Sequence, residues 1–177
     1  MVSLTIFDSI YDNKTDKRMD YNSFDEFETI LYKLSKSTKY PTKKDAPLLS
    51  PAIYQTGTTR ANDNVVGWAG FGILDIDDYD GDMKDIESKY DKYRYVCYST
   101  ASSTVESPKF RLVFPLTDVV NKEDIKHFWY ALNKEIGDIA DAQTKDLSRM
   151  YYVPAKYKNS FNFIFSVILH LMTIKYT

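Results

Sequence analysis

The feature that most constrains the fold of this chain is an apolar segment, residues 71–78, that ends in acidic side chains. On a β-strand, alternate side chains share a face, so Asp75 and Asp77 would lie side by side. Two like charges this close repel each other and raise a pKa unless a positive charge lies between them. A divalent cation such as Mg²⁺ or Mn²⁺ suits carboxylate ligands and keeps positions open for water and phosphates. The alternative interpretation is a solvated acidic cluster at a strand-to-turn junction.

The length of 177 residues fits one ordinary domain with its own core. The chain has 15 tyrosines and 10 phenylalanines but only 6 glycines and 6 prolines, which argues against disorder and repeats. The formal net charge of -2 gives no overall attraction to nucleic acid, so such binding would need local patches or bound metal. One candidate basic patch, with a solvated helix end as the alternative, comprises Lys33, Lys36, Lys39, Lys43, Lys44 and Arg60.

The single cysteine, Cys97, lies in an apolar segment and is predicted to be a buried strand residue. The cysteine usage and the lack of a signal-peptide pattern at residue 1 favour the cytoplasm, which would be the host cytoplasm if a phage encodes the chain. Residues 161–174 are apolar but shorter than the roughly 20 residues that span a bilayer. They also contain Asn162 and His170. We therefore expect a buried terminal element and no membrane partner.

Hydrophobic spacing predicts a mixture of strands and helices, of the α+β or α/β class. Strands are predicted at residues 4–7, 65–74, 93–99, 110–116 and 150–153, with 161–165 as a further candidate. Polar loops are predicted up to Tyr21 and around Pro41 and Pro51.

Three helices are predicted. Ser23 and Glu26 have the spacing of a capping box, which starts a helix that ends near residue 37. A short helix is expected at residues 83–90. A third helix, capped by Asn121, would bury one face that comprises Ile125, Phe128, Trp129, Leu132 and Ile136.

Further polar motifs follow the acidic pair. They are a serine-rich turn at residues 99–104, a strand that begins with Lys109 and continues to Arg111, and Asp141 followed by Arg149. Over residues 51–154, this series resembles the catalytic core of the archaeo-eukaryotic primase superfamily, and most closely the primase-polymerase domains of phages and plasmids. Asp75 and Asp77 match the first motif of that superfamily, and Asp141 matches the third.

The resemblance implies an α+β fold with two lobes. A small N-terminal α/β lobe would cover about residues 1–60, and a catalytic lobe with a mostly antiparallel sheet like an RNA-recognition motif would cover about 61–165. Residues 166–177 have no counterpart in the family and form an atypical tail. The whole of 1–177 would then be one catalytic domain.

The implied activity is metal-dependent nucleotidyl transfer, in which a DNA primase-polymerase makes or extends primers on single-stranded DNA. The partners would be the template, nucleoside triphosphates and, as a candidate, a separate helicase. Two Mg²⁺ or Mn²⁺ ions about 3.5 to 4 Å apart need shared carboxylates. The implied catalytic and metal-binding residues are Asp75, Asp77 and Asp141. The implied nucleotide-binding residues are Ser102, Ser103, Lys109, Arg111 and Arg149.

Some alternatives remain open. The second motif of the superfamily often carries a histidine, which here is replaced by Arg111 or Ser103. This loss favours an inactive primase-like module that binds nucleotide or nucleic acid. Haloacid dehalogenase-like phosphatases also place two acids after a strand, but their later lysine and paired-aspartate motif is missing. Arg149 could instead pair with Asp141 or Asp146, and Lys109 could be a solvated loop residue.

Other site classes are excluded by spacing. An EF-hand calcium loop that begins at Asp75 would need Asp or Asn at Tyr79 and glycine at Asp80. Neither His127 nor His170 has a neighbouring metal ligand at suitable spacing, which leaves zinc and a replication-initiator nuclease unsupported. The chain also lacks a phosphate loop of the helicase type.

Overall fold

The strand that carries the acidic pair lies at the centre of the fold. In this computed structural model, which describes residues 1–168, strand β5 is Val65–Ile76 and pairs with β7, Phe110–Asn121, along almost its whole length. The pairing is antiparallel and places Asp75 opposite Arg111. A bulge at Gly70 shifts the register once, where φ is +90°.

The other strands are β1 Val2–Phe7, β2 Arg18–Tyr21, β3 Leu48–Ser50, β4 Ala52–Tyr54, β6 Tyr95–Ser99, β8 Tyr151–Tyr152 and β9 Ile164–Val167. The nine strands form one antiparallel sheet in the described part of the chain, in the order β8-β3-β1-β5-β7-β6-β9, with β2 added to β1 and β4 to β5. This confirms the predicted mixture of helices with a large antiparallel sheet. The α-helices are α1 Phe24–Ser35, α2 Met83–Lys89 and α3 Ile125–Glu135.

Helices cover both faces of the sheet because the central strands are apolar on both sides. On one face, Phe27 of α1 packs on Phe71, with ring centroids 4.7 Å apart. On the other face, Phe128 of α3 meets Trp68 edge to face. Asp75 follows Phe71 and Ile73 on the α1 face, since side chains alternate along β5.

The helix predictions hold, with two differences in capping. The Ser23 hydroxyl accepts a hydrogen bond from the Glu26 amide at 3.2 Å, as predicted, but the Glu26 carboxylate accepts from Asn22 rather than from Ser23. The prediction that Asn121 caps α3 is wrong, because its side chain makes no capping bond and a 3₁₀ turn, Lys122–Asp124, precedes the helix. The predicted apolar residues of this helix are all buried, namely Ile125, Phe128, Trp129, Leu132 and Ile136.

The strands β2, β3 and β4 were not predicted. Residues 18–21 lack an apolar run and are mostly exposed, and they become a strand because β1 offers them an edge to pair with. The strands on either side of Pro51 are three residues each, too short for alternation to be recognised.

At the C-terminal end, the predicted strand 161–165 begins later, at Ile164, and pairs with β6. Val167 is buried, while Ile168 is 76% exposed. Residues 169–177 lie outside the described part, and with them most of the predicted tail and the rest of the segment 161–174. Among residues 1–168, the three α-helices are 12, 7 and 11 residues long, and none has the length and apolar character needed to cross a membrane.

Candidate functional site

A cleft of about 420 Å³ opens beside the end of β5. Its walls come from five parts of the chain: the loop after β1, the region of residues 43–60, the end of β5 with the start of β7, the serine-rich turn, and residues 149–152. The cleft contains five of the eight site residues predicted from the sequence, namely Asp75, Asp77, Ser102, Arg111 and Arg149. It also contains Ile10, Lys43, Leu48, Arg60, Thr100, Ala101, Met150 and Tyr152.

Asp75 and Arg111 form a buried ion pair at the floor of the cleft. The two side chains are each 10% exposed, and Arg111 Nε lies 2.9 Å from Asp75 Oδ1. The angle between them is poor, so both atoms are buried without a well-formed hydrogen bond. Burial lowers the pKa of Arg111, but Asp75 together with Tyr98 and Tyr151 raises it more, so the arginine pKa stays above its usual value. The guanidinium also donates to the Tyr152 carbonyl at 3.0 Å and lies against the ring of Tyr151.

Asp77 lies one residue beyond β5, on the same face as Asp75, and its side chain is 41% exposed. Burial raises the pKa of Asp77, and repulsion from Asp75 and Asp141 raises it further. The ammonium group of Lys109 lies 3.9 Å from Asp77 Oδ1 and opposes these effects only in part. Asp77 is therefore a carboxylate whose charge lacks full compensation, as the sequence predicts for a member of an acidic pair.

Asp141 reaches the end of β5 through its backbone. Its amide donates to the Asp75 carbonyl at 2.8 Å. Its side chain caps the following 3₁₀ turn, Ala142–Lys145, by accepting from the Gln143 amide at 3.0 Å. Asp141 is close enough to repel Asp77, but it is not among the residues that line the cleft.

The two predicted serines of the serine-rich turn have different roles, since one lines the cleft and the other holds the turn together. Ser102 is exposed and lines the cleft. Ser103 is buried, and its hydroxyl accepts a hydrogen bond from the Lys109 amide at 3.0 Å. Ser103 and Lys109 lie next to the cleft but are not among its lining residues.

Arg149 lines the cleft and forms no ion pair within residues 1–168, so neither of the alternative partners, Asp141 and Asp146, holds it. Sequence reasoning missed two cations, Lys43 and Arg60, which it assigned to a separate basic patch. The long-range hydrogen bonds that bring residues 60–62 against residue 148 leave no signal in the sequence.

The three predicted metal ligands, Asp75, Asp77 and Asp141, fit a divalent cation only in part. Within the described residues, no three His, Cys, Asp or Glu side chains are grouped closely enough to hold a metal ion, and the Asp141 side chain is used as a cap. The pair itself has the chemistry of a cation site, with a buried Asp75 carboxylate, whose Oδ1 has only the ion pair to Arg111 and no well-formed hydrogen bond, and an Asp77 carboxylate under repulsion. Asp75 and Asp77 thus fit a hard divalent cation, whereas Asp141 would have to leave its cap.

A family model described as the VapE N-terminal domain matches residues 14–172, which is most of the chain. The chain belongs to the VapE N-terminal domain family. The matched range includes the whole sheet apart from β1, together with all eight residues of the predicted site. No curated protein sequence matches the chain.

A solved structure described as the AEP domain of a primase-polymerase of cyanophage S-2L aligns with this VapE N-terminal domain at a TM-score of 0.42 and 10% identity. The alignment covers 61% of this chain and 53% of the phage protein, so the chain corresponds to about half of that structure. A TM-score this low does not establish a shared fold.

Proposed function

We propose that this chain is a metal-dependent nucleotidyltransferase of the archaeo-eukaryotic primase type, which makes or extends primers on single-stranded DNA in phage or plasmid replication. One observation carries the proposal: a single cleft contains two adjacent carboxylates and several cationic side chains. Carboxylates attract hard metal ions, and arginines attract phosphates. A nucleoside triphosphate with its metal ions needs both kinds of group in one place.

In this proposal, bound Mg²⁺ or Mn²⁺ would favour the attacking 3′-oxygen and neutralise the charge that develops on the triphosphate. Asp75 and Asp77 would hold the metal, with Asp141 as a third ligand after release of its cap. Ser102 and Arg149 would contact phosphate oxygens directly. Lys109 and Ser103 would act from behind the cleft wall, by balancing Asp77 and by fixing the turn.

We also propose the two-lobed description, with about residues 1–60 as the N-terminal lobe and about 61–165 as a catalytic lobe with a sheet like an RNA-recognition motif. The strands β1 to β4 belong to the first part and β5 to β9 to the second, and all of them join one sheet. The cleft lies where the two parts meet, since Lys43 and Arg60 come from the first and Asp75 from the second.

The template strand would follow a groove of about 530 Å³ beside the cleft. Lys36, which caps the C-terminal end of α1, and Lys156 line it, and the Lys156 amide donates to the Ser37 carbonyl at 2.8 Å, which joins the two walls. No acidic side chain lines the groove, and the half-buried rings of Tyr32 and Phe163 are suited to stack on bases. Other lining residues are Ser35, Ser99, Pro154, Ala155, Asn162 and Ile164.

This path predicts that Lys36→Gln/Lys156→Gln weakens binding of fluorescent single-stranded DNA, measured by anisotropy, and that the effect shrinks as salt is added. Lys33→Gln, an exposed lysine of the same helix outside the groove, is the matched control. Equal effects of the two changes would reject the path.

An inactive nucleotide-binding module is the second candidate. It is favoured by the Arg111 ion pair to Asp75, which already neutralises one carboxylate, and by the use of Asp141 as a cap. Such a module would bind nucleoside triphosphates without joining them.

The test is polymer synthesis from labelled ribonucleotides and deoxyribonucleotides on single-stranded DNA, with Mg²⁺ or Mn²⁺. We expect products with the wild type and with Asp78→Asn, and none with Asp77→Asn. Asp78 is the matched control because it is the next residue, is exposed and does not line the cleft. A wild type that binds nucleotide but makes no product would favour the inactive module. A wild type that does neither would reject both candidates.

A further inference from the structure

Besides the ion pair at its floor, the cleft has a wall of positive charge. Four cationic side chains line the cleft, against two carboxylates. Arg111 is committed to Asp75 and to the Tyr152 carbonyl. Within residues 1–168, the other three, Lys43, Arg60 and Arg149, form no ion pair. Three unneutralised cations in a cleft attract an anion with several charges.

Arg60 is the best defined member of this wall. Its Nε is fully buried and has no hydrogen-bond partner in the described part of the chain. Its other contact is weak, since one terminal nitrogen lies 3.4 Å from the Ser148 carbonyl. A buried donor without a partner costs about 1 to 3 kcal/mol. That cost is removed when a ligand accepts the hydrogen bond.

Hydrogen bonds join the segments that carry Arg60 and Arg149. The Arg60 amide donates to the Asn13 carbonyl at 2.9 Å, which fixes the loop that carries it. Two residues on, the Asn62 side chain accepts from both the amide and the hydroxyl of Ser148, at 3.0 and 2.7 Å. The two arginines therefore enter the cleft from segments that are hydrogen-bonded to each other.

We infer that Lys43, Arg60 and Arg149 form a polyphosphate subsite that holds the terminal phosphates of a nucleoside triphosphate. The guanidinium fork matches two phosphate oxygens, and the lysine adds a point charge. This inference rests on the proposed function, because the carboxylates and their metal would then face the phosphate that reacts. It assigns Lys43 and Arg60, from the N-terminal part of the chain, to nucleotide binding.

A subsite of this kind has two measurable properties. The affinity for a nucleotide rises with its number of phosphates and is insensitive to its base, since Lys43, Arg60 and Arg149 would contact phosphate alone. Part of the binding also persists without a divalent cation, because the charges belong to the protein.

The test is calorimetric binding of ATP, ADP, AMP and inorganic tripolyphosphate to the intact chain, with chelator and then with Mg²⁺. Arg60→Gln is expected to weaken ATP and tripolyphosphate binding by about tenfold or more, and AMP binding by less than about twofold. Lys43→Gln is expected to act in the same direction. Lys44→Gln, the exposed neighbour outside the cleft, should bind like the wild type.

Arg60→Lys keeps the charge and is expected to recover part of the lost affinity. It also serves as the second variant if Arg60→Gln does not fold. The subsite is overturned if Arg60→Gln binds tripolyphosphate like the wild type, or if the wild type does not bind tripolyphosphate. It is also overturned if Arg60→Gln loses affinity for AMP by the same factor as for ATP.

The polyphosphate subsite and the proposed polymerase activity can be rejected independently of each other. A wild type that shows the phosphate dependence but makes no polymer keeps the subsite and rejects the polymerase. A wild type that makes polymer, with an unchanged KM for nucleotide in Arg60→Gln, keeps the polymerase and rejects the subsite.

Discussion

Replacing Asp75 by alanine tests the buried ion pair more directly than it tests catalysis. The change removes the carboxylate but leaves the Arg111 guanidinium, whose side chain is 10% exposed, at the floor of the cleft. Removing one partner of a buried ion pair lowers the free energy of unfolding by roughly 3 to 5 kcal/mol, because the remaining charge is uncompensated. Arg111 keeps its hydrogen bond to the Tyr152 carbonyl and its contact with the Tyr151 ring. We therefore expect a loss of about 3 kcal/mol, the lower end of that range.

The matched variants are Arg111→Met and the double variant Asp75→Ala/Arg111→Met. Because the double variant leaves no unpaired charge, its cost should be smaller than the sum of the two single changes by about 2 to 3 kcal/mol. Urea unfolding followed by fluorescence measures these values, since Trp68 and Trp129 are each 1% exposed. Additive single changes, or an Asp75→Ala cost below about 1 kcal/mol, would refute the reasoning. If the prediction holds, loss of activity in Asp75→Ala reports unfolding as well as chemistry, which is why the polymerase test uses Asp77.

Two further predictions concern stability. Burial and Asp75 raise the pKa of Asp77 above 3.8, so its ionised form opposes folding above the raised pKa. Asp77→Asn is therefore expected to stabilise the protein at pH 7, by less than about 1 kcal/mol because the side chain is 41% exposed, and the gain should shrink as the pH falls to 3.8 and vanish below it. Urea unfolding at both pH values measures this, and a less stable variant at pH 7 would contradict it. Gly70→Ala should lower Tm and reduce the free energy of unfolding by about 1 to 3 kcal/mol or more. The reason is that φ is +90° and a Cβ would lie 2.4 Å from the Met1 carbonyl oxygen. An unchanged Tm in thermal unfolding would show that the bulge can relax.

Local patterns predicted the elements that have strong periodicity. The helix after Ser23 and the helix that buries Phe128 and Trp129 follow from the spacing of their apolar residues. The buried strand before Asp75 follows from its apolar run. The short strands β2, β3 and β4 did not follow, because they are strands only through pairing with β1 and β5.

The candidate site also combines features that follow from local sequence with features that only the fold decides. Two aspartates at alternate positions of a strand must share a face, so the sequence by itself determined that Asp75 and Asp77 are neighbours. Strand register decided that Arg111 lies opposite Asp75 and neutralises it. The direction of the Asp141 side chain was decided by the hydrogen bond that it accepts from the Gln143 amide, two residues further on.

Sequence alone therefore determined the periodic elements and the acidic pair, because each depends on residues a few positions apart. Tertiary structure alone decided which cations meet that pair. Arg60 and Arg149 are 89 positions apart and share a cleft whose two segments are joined by the hydrogen bonds between Asn62 and Ser148. Contacts between segments so distant in the chain depend on how the whole sheet is assembled, and no local pattern of residues encodes them.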